Sequence, residues 1–198
     1  MRLPLGVILA GGRATRMGGG DKGLIPLGTA TLLDHVIARL GPQTAGLALN
    51  ANGEGARFDD LGLPVIPDSI EGFPGPLAGV LAGLDWAAEQ GADHIITAAA
   101  DTPFFPNNLT DRLSEAGELA LAATRDAESG KLYRHPTFGI WPVALRDDLR
   151  SALQNGLRKV VMWTDMHNAM TVEFPVGHFD PFFNVNTPAD LALAEGFL

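Results

Sequence analysis

The chain alternates short unbroken apolar runs with segments whose apolar residues return every three or four positions. Residues 5–10 are unbroken and lead into turn residues, as a strand buried on both faces would. In residues 31–40, Leu32, Leu33, Val36, Ile37 and Leu40 share one helical face, and Thr31 with Asp34 makes a capping-box start. The pattern predicts further strands at residues 46–50, 64–67, 94–99, 119–124, 137–141 and 171–174. It predicts helices at residues 77–90, 107–116, 143–155 and 159–165, and a last helix from Pro188, capped by Thr187 and Asp190. Strands alternating with helices imply an α/β fold with a mostly parallel sheet covered on both faces. No internal repeat, low-complexity tract or long linker divides the chain, so residues 1–198 are expected to form one domain. Ligands of such sheets bind outside the carboxyl ends of the strands. That points to residues 11–22 and 50–52, Asp68, Asp101 and residues 184–186.

Composition narrows the function. A chain of 198 residues, 46% hydrophobic and 19% charged, can bury about 70% of its unfolded surface and needs no covalent staple. The net charge of −9 and the lack of any Lys/Arg run speak against a nucleic-acid partner. The charge is uneven, however. Residues 1–22 hold Arg2, Arg13, Arg16 and Lys22 against Asp21 alone, a net +3 that leaves −12 for the rest. Without cysteine there is no disulfide, thiolate nucleophile, iron–sulfur cluster or Cys-based zinc site. Residues 1–10 faintly imitate a signal peptide, but the run is short, contains Pro4 and Gly6, and enters a charged glycine loop. No stretch reaches the roughly 18 apolar residues of a membrane span. A soluble, cytoplasmic protein with no membrane partner is expected.

Residues 9–23 contain six of the 24 glycines. Glycine lets backbone N–H groups approach a ligand closely, and Arg16 and Lys22 add positive charge beside them, which is the chemistry of polyphosphate binding. A surface loop with incidental glycines is the alternative; the preceding strand and the basic residues favour phosphate. Gly18, Gly20 and Gly23 match G-x-G-x-x-G, but they lie well past the strand and Pro26 stops a following helix, so the dinucleotide fingerprint fails. A Walker A loop fails too, because Lys22 stands between Asp21 and Gly23.

Leu9-Ala10-Gly11-Gly12, then Arg16-Met17-Gly18-Gly19, then Asp21-Lys22-Gly23 resembles the signature of the molybdenum cofactor guanylyltransferase (MobA) family of nucleotidyltransferases. Asn50-Ala51-Asn52, Pro67-Asp68, Gly75-Pro76-Leu77-Ala78-Gly79, Asp101-Thr102-Pro103, His135-Pro136 and Asn184-Val185-Asn186-Thr187-Pro188 continue the resemblance along the whole chain. The first motif alone marks nucleotidyltransferases at large; the full set points to this member. The resemblance implies a three-layer, Rossmann-like nucleotidyltransferase fold whose N-terminal half binds GTP and whose C-terminal half binds molybdopterin. It implies transfer of GMP from GTP to the phosphate of Mo-molybdopterin, with molybdoenzymes or their chaperones as recipients of the product.

From the residues alone, Asp101 fits either a hard-cation ligand at a strand's end or a turn and helix-cap residue ahead of Pro103. The resemblance makes it the Mg²⁺ ligand, although many relatives carry Cys where this chain has Ala100. It also implies nucleotide contacts from Leu9, Ala10, Gly11, Gly12, Lys22, Asn50 and Asp68, with Asn52 less defined; Gly75 opens a tight turn into a helix whose N-terminus can face the ligand, and Gly79, inside that helix, reads as a packing glycine. Catalysis would rest on Arg16, Lys22 and Asp101. Asn184 and Asn186, two apart, point the same way in an extended segment, and the resemblance places them and His135 on the pterin side. Without it His135 is a structural or exposed loop histidine. A phosphate monoester has its second pKa near 6, so the nucleophile is already mostly a dianion at neutral pH and no Ser, Cys or His base is required. Two other classes stay open: a molybdopterin cytidylyltransferase or sugar-phosphate nucleotidyltransferase, and a non-catalytic nucleotide-binding or cofactor-delivery module.

Overall fold

A computed structural model describes residues 3–11, 21–70, 72 and 75–198. Strands β1 (Leu5–Leu9), β4 (Leu47–Asn50), β5 (Val65–Ile66), β6 (His94–Ala99), β7 (Ala120–Arg125), β8 (Leu132–Pro142) and β9 (Met170–Phe174) form one sheet in the order β5-β4-β1-β6-β8-β7-β9. All neighbours run parallel except β8, which is antiparallel to both β6 and β7. The mostly parallel sheet expected from the sequence is therefore present. So are the helices: α1 (Leu32–Leu40), α2 (Pro76–Glu89), α3 (Leu109–Ala116), α4 (Arg146–Gln154), α5 (Val160–Met166) and α6 (Pro188–Glu195). Both expected capping boxes form, with Asp34 N donating to Thr31 and Asp190 N to Thr187. A two-strand ribbon, β2 (Pro26–Leu27) with β3 (Ala30–Thr31), was not legible in the sequence.

Alternation along the strands shows why both faces must be covered. Val7, Ile95, Leu121 and Trp141 pack on one side with α2, α4 and α5. Their neighbours Ile8, Ile96, Ala120 and Ile140 pack on the other with α1 and α3. Both core indoles are matched: Trp141 Nε1 donates to buried Thr97 at 2.8 Å, and Trp163 Nε1 to Asp148 at 2.9 Å. A third cluster, built on Leu27, Leu32, Phe104, Val185 and Ala194, seats the β2–β3 ribbon and α6 beyond the end of β6. It carries the C-terminal segment back across the carboxyl ends of the central strands, where Val185 N donates to Asp101 O at 2.8 Å.

β8 is longer than the sequence suggested, starting at Leu132 instead of Thr137. Its pairing with β7 jumps from Leu121↔Gly139 to Ala122↔His135, leaving 136–138 bulged out opposite β7. Pro136, which cannot donate to a ladder, sits in that bulge. Among the described residues no helix is long and apolar enough to cross a membrane.

Candidate active site

A cavity of about 520 Å³ opens at the carboxyl ends of β1, β4 and β6, where the sheet topology puts it. Leu9, Ala10 and Gly11 lead out of β1 along one rim, and Ala99 and Ala100 out of β6 along the floor. The rims are tied by backbone bonds: Ala10 N donates to Asn50 O at 2.9 Å and Ala100 N to Leu9 O at 3.1 Å.

The first side of the cavity is ionic. Lys22 begins a short 3₁₀ turn, Lys22–Leu24, and its ammonium donates to Asp101 Oδ2 at 2.6 Å and to Asn186 Oδ1. Thr102 Oγ1 lies 3.1 Å from Asp101 Oδ1 and within hydrogen-bond distance of Asn184 Oδ1, so its one proton is shared between the two acceptors. The two asparagines thus face the turn after β6 together, as their spacing implied. The nearest helix after Asp101 starts at Leu109 with Asn108 as its cap, so Asp101 caps no helix. Its carboxylate faces the cavity, with 25% of the side chain exposed.

The second side is built from amides. Asp68 Oδ1 accepts from Asn50 Nδ2 at 3.0 Å and Oδ2 from Asn52 Nδ2 at 2.8 Å, while Asp68 N donates back to Asn52 Oδ1 at 2.9 Å. Asn50 is 2% exposed and also donates to Ile66 O at 3.1 Å. Room for its amide comes from Gly79 in α2, where a Cβ would collide with Asn50 Oδ1. The packing reason for that glycine is therefore the site itself. Gly75 caps α2 with φ +132, Pro76 follows, and both line the cavity, so the first turn of α2 faces the site with no side-chain cap.

Of the residues expected from the sequence, Leu9, Ala10, Gly11, Lys22, Asn50, Asp68, Gly75, Asp101 and Asn184 line this one cavity, and Asn186 joins it through Lys22. Gly12 and Arg16 lie outside the described residues. His135 does not line the cavity. Its Nε2 pairs with Thr124 Oγ1 at 2.8 Å and its ring stacks on Phe182 with centroids 4.4 Å apart. Burial pushes its pKa down, opposed in part by Asp180. Thr137 and Thr102 were missed in the sequence: the β8 bulge brings Thr137 into the lining, and Thr102 links Asp101 to Asn184.

Residues 6–169 match the model of the MobA-like NTP transferase domain. The chain belongs to that family. A MobA-like transferase from Bradyrhizobium sp. (strain ORS 278), named molybdenum cofactor guanylyltransferase, is 51% identical, with 96% of this chain and 91% of the relative aligned. The protein of that name from Cereibacter sphaeroides is 50% identical over 100% of this chain and 98% of its own. Among solved structures, molybdopterin-guanine dinucleotide biosynthesis protein A from Archaeoglobus fulgidus superposes with a TM-score of 0.71 at 22% identity, covering 98% of this chain and 97% of that one. The 4-diphosphocytidyl-2C-methyl-D-erythritol synthase of Anaerococcus prevotii DSM 20548 superposes with a TM-score of 0.72 at 12% identity, over 99% and 98%. These two likenesses concern the fold. The α/β architecture is thus common ground between sequence, structure and kin.

Proposed function

We propose that this chain transfers GMP from GTP to the terminal phosphate of Mo-molybdopterin, giving molybdopterin guanine dinucleotide and pyrophosphate. The observation that carries this reading is the convergence of Lys22, Asp101, Asn184 and Asn186 on one side of a cavity whose other side is Asn50, Asn52 and Asp68. Full-length relatives at about 50% identity bearing the guanylyltransferase name support it. The N-terminal half of a single domain would hold the nucleotide, and the segment with Asn184 and Asn186, together with His135, the pterin side. GTP and Mo-molybdopterin are the substrates, delivery to molybdoenzymes or their chaperones follows, and the compartment is the cytoplasm.

The acceptor phosphate oxygen attacks the α-phosphorus of GTP, the bond from that phosphorus to the β-bridging oxygen breaks, and pyrophosphate leaves with the electron pair. The acceptor is mostly dianionic at neutral pH, so this chain need only align it and neutralise charge. Lys22 would place its ammonium on the phosphates, the resemblance gives Arg16 a charge-neutralising role as well, and the first turn of α2 would add N–H donors. The donor set fits Mg²⁺: one carboxylate at the cavity floor suffices for a hard cation that keeps waters and shares phosphate oxygens. Among the described residues no group of three or more His, Asp or Glu gathers as an all-protein cage. Asp101 would hold Mg²⁺, and the chemistry a bound cation would supply there is Lewis-acid neutralisation of phosphate charge.

The test is to supply Mo-molybdopterin with GTP, CTP or ATP in turn, with Mg²⁺, and identify the dinucleotide. Guanine dinucleotide and pyrophosphate in equal amounts are expected. Cytosine dinucleotide would make the chain a cytidylyltransferase, and nucleotide binding without pyrophosphate release would make it a delivery module.

A further inference from the structure

Asp21 immediately precedes Lys22 and holds the N-cap position of the 3₁₀ turn, yet its side chain makes no cap bond. Aspartate is among the favoured capping residues, so something else claims its carboxylate. That partner is Arg57, whose Nε donates to Oδ2 at 2.5 Å and whose Nη2 donates to Oδ1 at 3.3 Å. The guanidinium continues past Asp21. Nη2 also donates to Asn52 O at 2.7 Å, Nη1 donates to Glu54 O, and the group lies over the ring of buried Phe58, 4.4 Å from its centre. Gly53, at φ +83, allows the turn that brings both carbonyls to one guanidinium. The pair is mostly covered, with 30% and 25% of the two side chains exposed.

Arg57 therefore bonds the neighbour of Lys22 on one side of the cavity and the backbone of Asn52, which fixes Asp68, on the other. We propose that Arg57 is a positioning residue that couples the two sides: through Asp21 it sets the reach of Lys22, and through the 52–54 turn it sets Asn52 and Asp68. This rests on the nucleotide-binding reading above. A planar fork of five donors can make these bonds at once; a lysine ammonium, a point charge, cannot reproduce them.

The experiment compares Arg57→Ala, Arg57→Lys, Asp21→Asn and the double variant Arg57→Ala/Asp21→Asn with the unmodified chain. GTP affinity with Mg²⁺ is measured by calorimetry, and acylation of Lys22 by an N-hydroxysuccinimide acetyl ester by mass spectrometry, with exposed Lys131 and Lys159 as internal controls. Arg57→Ala should weaken GTP roughly tenfold and speed Lys22 acylation several-fold, while the control lysines keep their rates. Arg57→Lys should recover less than half of the lost affinity, and the double variant should be no worse than Arg57→Ala alone. Affinity and acylation within twofold of the unmodified chain, or losses that multiply in the double variant, would overturn the proposal. Should Arg57→Ala not fold, Asp21→Asn decides: faster Lys22 acylation supports the coupling and an unchanged rate refutes it. A chain that binds no GTP at all would sink the nucleotide reading, and the acylation comparison would still decide whether Arg57 positions Lys22.

Discussion

The two sides of the cavity each present one carboxylate, and they hold it in opposite ways. Asp101 is met by the Lys22 ammonium, so its charge is balanced; on the proposed function the pair would exchange partners with phosphate and cation. Asp68 is held by the neutral amides of Asn50 and Asn52, so its charge stays as a fixed acceptor. A cation–carboxylate pair suits a place where charge develops and departs during reaction. An amide-held carboxylate suits recognition, because its orientation is set by two donors while its acceptor capacity is not used up. On the proposed function one cavity would separate chemistry from selection, and substitutions should separate them too.

The largest effect is expected from Asp101→Asn. It keeps the shape but removes the charge opposite Lys22, and kcat should fall by about 100-fold or more, the scale of losing a key electrostatic element. Steady-state pyrophosphate release with Mg²⁺ checks this; near-normal turnover would refute the role of Asp101. Next comes Lys22→Ala, which removes a charged donor from both Asp101 and Asn186. Losing such a bond is worth about 1.5–3 kcal/mol, so GTP affinity and kcat should both fall, by roughly 10- to 100-fold in kcat/KM. Unchanged affinity and rate would break the ionic side as described. Asp68→Asn sharpens the contrast from the other side: KM for GTP should rise about tenfold, preference for GTP over CTP should shrink, and kcat should stay within about threefold. A fall in kcat like that of Asp101→Asn would erase the division between the two sides.

How much of this was legible in the sequence follows from the range of each interaction. Capping boxes at Thr31/Asp34 and Thr187/Asp190 span three residues and are written locally, and so are the apolar runs of β1 and β6. The strand-end rule then gathers Gly11, Asn50, Asp68 and Asp101 without any knowledge of side-chain geometry. What was not legible lies in long-range contacts. Lys22 meets Asp101 across 79 positions and Asn186 across 164, and Arg57 meets Asp21 across 36. Arg57 looks like any loop arginine until the fold sets its neighbours. The bulge at 136–138 was hidden because the strand read from the sequence began at Thr137, whereas β8 runs through from Leu132 and turns Thr137 into the cavity. The resemblance to the family supplied the roles of Asp68 and Asn50, which spacing alone leaves as turn and strand-end residues.

The smallest expected effect concerns His135, which lines neither side of the cavity although the proposed function puts it toward the pterin. Its ring is stacked on Phe182 and bonded to Thr124, and burial depresses its pKa below the usual value near 6.5. Between that value and the folded one, the unfolded chain binds a proton that the folded chain does not, so folding stability rises with pH there. The contribution is present above about pH 6.5 and is lost as pH falls through the folded pKa. The ring keeps some solvent contact, so the loss should be small, on the order of 1–2 °C in Tm. Thermal melts of the chain and of His135→Gln from pH 7.5 to 5 should show the variant with the flatter profile over that window. A further measurement, KM for the acceptor, ties this residue to the comparison. Should His135→Gln raise acceptor KM several-fold at constant Tm, the histidine would form a third, pterin-facing side of the site; should only the melting profile change, its part is to pack Phe182 against the sheet.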